Sequence, residues 1–159
     1  MNGTTGDQWH RALRRFGRSD GTNLIEASLV LPMVLFVTFA IVDFASLFYA
    51  YTALENGVSL ATRYAVTGRS MEEETREESI MDTMRSVTPT LTIPDEAFTF
   101  THIPAGESDW VDGVGGPNDI GRVKVDVPWS LFTPFISDLF TDGALTLSVE
   151  SIMKNERFE

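Results

Sequence analysis

The longest uncharged stretch of the chain runs from Ala27 to Val42 and is almost entirely apolar. With its mostly apolar flanks it extends from Leu24 to about Tyr49, more than the roughly 20 residues that a helix needs to cross a bilayer. Its apolar residues occupy every side of a helical wheel, whereas a helix at the surface of a globular core has one apolar stripe. The sequence therefore predicts a membrane-spanning helix near the N-terminus.

The charges on either side of the apolar run indicate how that helix is oriented. Residues 1–21 contain four arginines and two aspartates, a net charge of +2, whereas the rest of the chain carries −13. Because positively charged flanks of a membrane span stay in the cytoplasm, we expect the N-terminus inside and the acidic C-terminal part outside. A nucleic-acid partner is not expected, because phosphate binding requires a basic surface.

A cleaved secretory signal is the alternative interpretation of this N-terminus, and its basic start fits one. The apolar run is longer than the 7 to 15 residues of a signal peptide, however, and no small-x-small cleavage site follows it. We therefore expect a retained membrane anchor.

Few residues suggest catalysis, a cofactor or a bound metal. The chain has no cysteine, which excludes disulfides, thiolate zinc sites and cysteine catalysis. It also has no Gly-rich phosphate loop or nucleophile motif. Asp109, Asp112 and Asp119 lie in a Gly-rich loop and are candidate calcium ligands, but their spacing differs from that of an EF-hand. We expect a protein that is not an enzyme and holds no cofactor or metal.

The apolar pattern changes twice after the membrane span. Leu54, Val58, Ala61 and Ala65 recur at helical spacing, which predicts that the first helix continues to a stop at Gly68. A second helix is predicted over residues 72–87, with Ile80, Met84 and Val87 on one face.

Three later segments alternate with period two and predict antiparallel strands with one apolar face: "AFTFTHI", "VKVDVPW" and "LTLSVES". The segment "SLFTPFISDLF", between the last two, predicts a short helix or turn. Its residues Phe132, Phe135, Leu139 and Phe140 are expected to pack on the sheet.

A short motif at the start of the apolar run resembles the processing site of type IV prepilins. Gly21 is followed by "TNLI" and then by Glu26. Such prepilins have a basic leader, cleavage after the glycine, and glutamate as the fifth residue of the mature chain. The wider stretch "GTNLIEASLVLPMVLFVTFAIVDFASLFYAY" followed by "LENGVSLATRYAVTG" resembles the TadE-like family of pseudopilins, which belong to the tight-adherence (Flp) pilus machinery. The matching residues include Gly21, Glu26, Leu31, Pro32, Asp43, Asn56, Arg63, Tyr64 and Gly68.

The resemblance implies a structural subunit, a minor pilin or pseudopilin of Flp pilus assembly. It implies cleavage by a prepilin peptidase between Gly21 and Thr22. The implied partners are other pilin or pseudopilin subunits, the inner-membrane pilus assembly platform and membrane lipid. The protein would be a single-pass protein of the bacterial inner membrane, resident there or incorporated in the pilus. The alternative is a membrane-anchored periplasmic binding module with no pilus role, which needs neither Gly21 nor Glu26.

Three residues of the apolar helix are candidates for special roles. In the pilin-like family, the carboxylate corresponding to Glu26 is implied to pair with the α-amino group of a neighbouring subunit, here that of Thr22. Alternatively, Glu26 only reaches the cytoplasmic interface. Pro32 has no N–H and its ring crowds the carbonyl of Ser28, so we expect a kink there. Asp43 is a candidate assembly or interface carboxylate, or else simply solvated or packed.

These expectations combine into an α+β protein whose long N-terminal transmembrane helix extends into a small extracytoplasmic domain with a short helix and an antiparallel sheet, as in pilins. Residues 1–21 form the basic prepilin-type leader and residues 22–50 the transmembrane helix. Residues 51–70 extend that helix, and residues 71–159 form the extracytoplasmic domain.

Overall fold

The computed structural model of the chain describes residues 20–71, 74–133 and 144–157. These residues form helix α1 (Asp20–Ala65), helix α2 (Arg76–Val87), a 3-10 helix (Asp95–Ala97), and strands β1 (Phe98–Ile103), β2 (Val111–Asp112), β3 (Ile120–Ser130) and β4 (Ala144–Lys154). The predicted α+β class, with a long N-terminal helix, a short helix and an antiparallel sheet, is confirmed.

The chain divides into two compact units, and the division falls inside α1, between Val42 and Asp43. In the first unit the large apolar side chains of α1 are exposed. The most apolar 18-residue window of α1 contains no buried residue. One N-terminal helix that is apolar on all sides fits a single-pass membrane anchor.

In the second unit, α1 buries one stripe of small and aliphatic side chains. The buried residues of the stripe are Ala50, Leu54, Val58, Ala61 and Ala65. They belong to one hydrophobic core that also contains residues from α2 and from the sheet. The stripe that helical spacing predicted from Leu54 to Ala65 is therefore confirmed. The helix ends at Ala65, and the turn after it reaches Gly68, whose φ of 68° suits a glycine.

The sheet has the strand order β2-β1-β3-β4, and all of its neighbouring strands are antiparallel. Its central register places Phe98 opposite Val125 and Val125 opposite Val149. All three side chains belong to the core, which confirms that the alternating segments form strands with one apolar face. Strand β2 lies inside the segment that the Gly-rich sequence predicts as a loop. The sequence does not predict this strand, because two residues are too few to show a period.

Helix α2 begins at Arg76, four residues later than the predicted start. The reason is a capping box, in which the Thr75 hydroxyl accepts the N–H of Glu78 at 3.2 Å and the Glu78 carboxylate accepts the N–H of Thr75 at 2.8 Å. The hydrogen bond from the Thr75 backbone, with help from its hydroxyl, lowers the pKa of Glu78. On the predicted apolar face Ile80 and Met84 are fully buried, whereas Val87 is exposed.

Helices α1 and α2 approach each other closely at Gly57. A Cβ added to Gly57 would lie 2.8 Å from Cγ2 of Thr88 and 3.2 Å from Cγ of Met84. Only a residue without a side chain fits there without a shift of its neighbours. Gly57 therefore sets how near the second helix lies to the first.

In the segment that follows β3, the position of Phe132 differs from the prediction. Phe132 is 75% exposed, so its expected packing on the sheet is wrong. Its backbone N–H is instead hydrogen-bonded to Asp43 of α1, which fixes the main chain beside the helix and leaves the ring outside the core. Phe135, Leu139 and Phe140, with the rest of the predicted helix or turn from residue 134 on, lie outside the described residues.

Candidate processing and assembly segment

Gly21, Thr22 and Glu26 lie in the first turns of α1, in the first unit, and all three are exposed. A Cβ at Gly21 would meet nothing within 4 Å, so its surroundings are open. Thr22 and Glu26 are four residues apart, which places them on the same side of the helix. Gly21 and the Glu26 side chain are thus both exposed in the structure.

The Glu26 carboxylate has no hydrogen-bond or ion-pair partner within residues 20–71, 74–133 and 144–157. It lies immediately before the uncharged run that begins at Ala27. A carboxylate at the edge of a bilayer is costly unless it is hydrated or paired. The described part of the chain supplies no such pair for Glu26.

Pro32 lies in the first unit, and helix α1 continues both before and after it. One turn earlier the Ser28 hydroxyl donates to the carbonyl of Ile25 at 2.7 Å, whereas the carbonyl that Pro32 leaves without its usual donor is that of Ser28. Membrane helices tolerate an interior proline because nearby hydroxyl groups and small adjustments of the helix satisfy the freed backbone groups. The kink at Pro32 stays a prediction.

Asp43 belongs to the second unit and is 1% exposed. Its Oδ1 accepts the N–H of Phe132 at 2.7 Å, and its Oδ2 accepts the N–H of Thr133 at 2.9 Å. Hydrogen bonds to an ionised carboxylate are stronger than neutral ones, and two of them compensate much of the cost of burying the charge. Asp43 thus connects α1 to the chain that leaves β3. Gly21, Thr22, Glu26 and Pro32 belong to the first unit.

Comparison with known families identifies the segment that carries these residues. Residues 21–63 match the model of the family described as TadE-like protein. The chain carries a TadE-like segment. The match confirms the family that the wider stretch from Gly21 onward resembles. It covers 43 of the 159 residues, all of them in α1. Comparisons with curated proteins and with solved structures give no match.

The C-terminal end of the TadE-like helix is held by donors that the sequence motifs did not reveal. The Arg76 guanidinium donates to the carbonyl of Ala65 at 2.6 Å and to that of Gly115 at 2.5 Å. The N–H of Glu156 donates to the carbonyl of Val66 at 2.9 Å. Burial lowers the pKa of Arg76, and the nearby Asp119 carboxylate opposes that effect. The contacts with Ala65 and Val66 satisfy carbonyls at the end of α1 that have no donor within the helix, and the contact with Gly115 joins Arg76 to the loop after β2.

The acidic loop after β1 is organised around the Asp119 carboxylate. Its carboxylate accepts the N–H of Ala105 at 2.9 Å and that of Gly116 at 2.6 Å. Asn155 donates its side-chain amide to the Gly116 carbonyl at 2.8 Å. Within the ranges that the structure describes, no three acidic or histidine side chains converge on a common point where an ion could bind, so the candidate calcium ligands Asp109, Asp112 and Asp119 are not grouped. His102 bonds the Gly113 carbonyl through Nδ1 at 3.1 Å and so helps to fix the loop.

Proposed function

We propose that this protein is a TadE-like minor pilin or pseudopilin, a structural subunit of the tight-adherence (Flp) pilus machinery. The observation that carries the proposal is the family match, which begins at Gly21 and contains Glu26 at the fifth position after it. A prepilin peptidase would cleave between Gly21 and Thr22, on the cytoplasmic side of the inner membrane. The exposed surroundings of Gly21 support access for such an enzyme.

The cleaved chain would join an assembly through its first helix. Cleavage creates an α-amino group on Thr22, and we infer that this cation pairs with the Glu26 carboxylate of a neighbouring subunit. Glu26 suits that role because it lies at the edge of the apolar run and has no partner in the part of its own chain that is described. A charge pair at low dielectric fixes the register of two helices, and losing one member leaves the other charge uncompensated.

The remaining partners follow from the same role. The apolar faces of α1 would contact lipid before assembly and the helices of other pilin or pseudopilin subunits afterwards. The inner-membrane assembly platform would supply the subunit, and the domain after Val42 would lie outside the cytoplasm. A structural role of this kind needs no catalytic residue and no cofactor.

The pairing is tested by substitution of Glu26 in cells that carry the pilus machinery. The chain has no cysteine, so one cysteine introduced at the exposed Leu29 gives a single crosslinking site. Glu26→Ala is expected to reduce crosslinking to other subunits and to reduce piliation, while leader removal and protease resistance of the domain stay unchanged. Glu26→Asp keeps the charge but shortens the side chain, so its effect should be intermediate.

A matched control is Glu55→Ala, which removes an exposed glutamate from the same helix within the second unit. It should crosslink and support piliation as the unsubstituted chain does. If Glu26→Ala does so as well, the pairing is wrong, and an anchor without an assembly role becomes the better account.

A further inference from the structure

Three phenylalanines of the second unit are exposed, two in the turns of α1 that follow the apolar run and one in the chain that leaves β3. Phe44 is 54%, Phe48 is 66% and Phe132 is 75% exposed. We call these three residues the aromatic patch. Large exposed apolar side chains mark a candidate contact with protein or membrane when they lie near one another.

The position of Phe132 in the patch is fixed by Asp43. The Phe132 nitrogen lies 2.7 Å from Asp43 Oδ1, and the next N–H occupies the other carboxylate oxygen. Because Asp43 directly follows Val42, the backbone of Phe132 is held beside the first turn of α1 beyond the apolar run. Phe44 is the next residue of that turn, and Phe48 follows one turn later on the same side of the helix.

The dimensions of a bilayer place this turn at its surface. Residues 24–42 are 19 residues long, which at 1.5 Å per residue gives about 28 Å, close to the roughly 30 Å of a hydrocarbon core. The headgroup region adds roughly 5 to 8 Å on each side. Asp43, Phe44 and the attached Phe132 would therefore lie within that region, and Phe48 at its outer limit.

We propose that lipid at the outer surface of the bilayer covers the aromatic patch, and that Phe132 is a second membrane contact besides the helix itself. Lipid is the occupant that the observations favour, because only Asp43 separates Phe44 from the apolar run, and Asp43 holds the backbone of Phe132. Aromatic and other apolar side chains gain free energy at this depth. The Asp43 charge is compatible with it because its two oxygens are already hydrogen-bonded. The outer end of the hydrocarbon core would then lie at Val42. This inference rests on the proposed membrane anchor.

Depth-dependent fluorescence quenching tests the contact with the full chain. A single cysteine labelled with the environment-sensitive dye NBD is placed at Phe132→Cys, and the protein is reconstituted in phosphatidylethanolamine and phosphatidylglycerol vesicles with or without 5-doxyl phosphatidylcholine. Leu35→Cys, in the apolar run, is the lipid-exposed reference. Val111→Cys, on an exposed residue of β2, is the aqueous reference.

We expect the dye at Phe132→Cys to emit at shorter wavelength than at Val111→Cys and to be quenched by the doxyl lipid. Quenching at Leu35→Cys without quenching at Phe132→Cys would overturn the inference and leave the anchor intact. Absence of quenching at both sites would refute the anchor itself. A blue-shifted but unquenched dye at Phe132→Cys would mean that protein covers the patch, which also overturns the inference.

A second measurement removes the concern that the dye replaces the ring under test. The dye is placed at Phe48→Cys, and Phe132 is either kept or changed to Asp. If Phe132 holds the patch on lipid, Phe132→Asp should decrease the quenching at Phe48→Cys, whereas Val111→Asp should not. Equal quenching in all three proteins would contradict a role for Phe132.

Discussion

The carboxylate of Asp43 and the backbone N–H of Thr133 are hydrogen-bonded at 2.9 Å although 90 residues separate them in sequence. Together with the bond from Phe132, this contact joins the start of the second unit to the chain that leaves β3. Asp43→Ala would leave two N–H groups without their acceptor, and a buried donor without a partner costs about 1 to 3 kcal/mol. We expect the free energy of unfolding to decrease by roughly 2 to 4 kcal/mol.

Denaturant unfolding of the full chain in detergent micelles, followed by circular dichroism, measures this loss. Asp109→Ala, which removes an exposed carboxylate from the loop after β1, is the control and should change little. Amide hydrogen exchange should also become faster at residues 132 and 133 in Asp43→Ala. Unchanged exchange at these two amides would show that the carboxylate does not hold them.

Gly57 offers a test of the packing between α1 and α2. Gly57→Ala should raise helix propensity by about 1 kcal/mol, but the new methyl group would lie 2.8 Å from Thr88 Cγ2. Overpacking of this kind costs about 1 to 3 kcal/mol, so we expect a net loss of stability. Thr88→Ser removes Cγ2 and leaves the contact with Met84 Cγ at 3.2 Å, so in that background Gly57→Ala should cost less than in the unsubstituted chain. The same cost of Gly57→Ala in both backgrounds would mean that the contact with Thr88 is not the cause.

The capping box at the start of α2 should make stability depend on pH through Glu78. Hydrogen bonds from Thr75 lower the pKa of Glu78 in the folded chain, so its ionised form stabilises the fold. This stabilisation is present above the unfolded pKa and is lost as the pH falls through the folded pKa. Unfolding measured between neutral and acid pH should show Glu78→Gln less stable than the unsubstituted chain at neutral pH, with the difference shrinking in acid. Glu77→Gln, which leaves the box intact, is the control, and a difference for Glu78→Gln that does not change with pH would contradict the assignment.

Local periodicity predicted much of this fold, because each pattern needs only neighbouring residues. The stripe from Leu54 to Ala65 and the alternation through Val123, Val125 and Val127 both reflect burial on one side of an element. The predicted start of α2 is four residues too early, because the capping box of Thr75 and Glu78 begins the helix at Arg76. The contacts of Asp43 and Arg76 could not be predicted, because the donors to Asp43 and the acceptors of Arg76 lie in other segments that only the tertiary fold brings near. Phe132 was assigned to the core by its apolar character, although the hydrogen bond of its own N–H determines where it lies.

The orientation of the proposed anchor gives a further prediction. If the C-terminal domain lies outside the cytoplasm, alkaline phosphatase fused after Glu159 should be active. Green fluorescent protein fused at the same place and exported by the Sec pathway should be dark. The cause would be the arginines before the span, because basic flanks are retained inside. Changing Arg11, Arg14, Arg15 and Arg18 to Glu should therefore reduce phosphatase activity. Activity that does not respond to this change would argue against the arginines as the determinant.

Processing at Gly21 is the step on which the proposed pilin role depends most. N-terminal mass spectrometry of the full chain, produced with and without the cognate prepilin peptidase, tests it directly. With the peptidase, the mature chain should begin at Thr22, which makes Glu26 its fifth residue. Without the peptidase, or with Gly21→Val, residues 1–21 should remain attached. A mature chain that retains residues 1–21 in peptidase-competent cells would contradict the assignment of this protein as a processed pilin-like subunit.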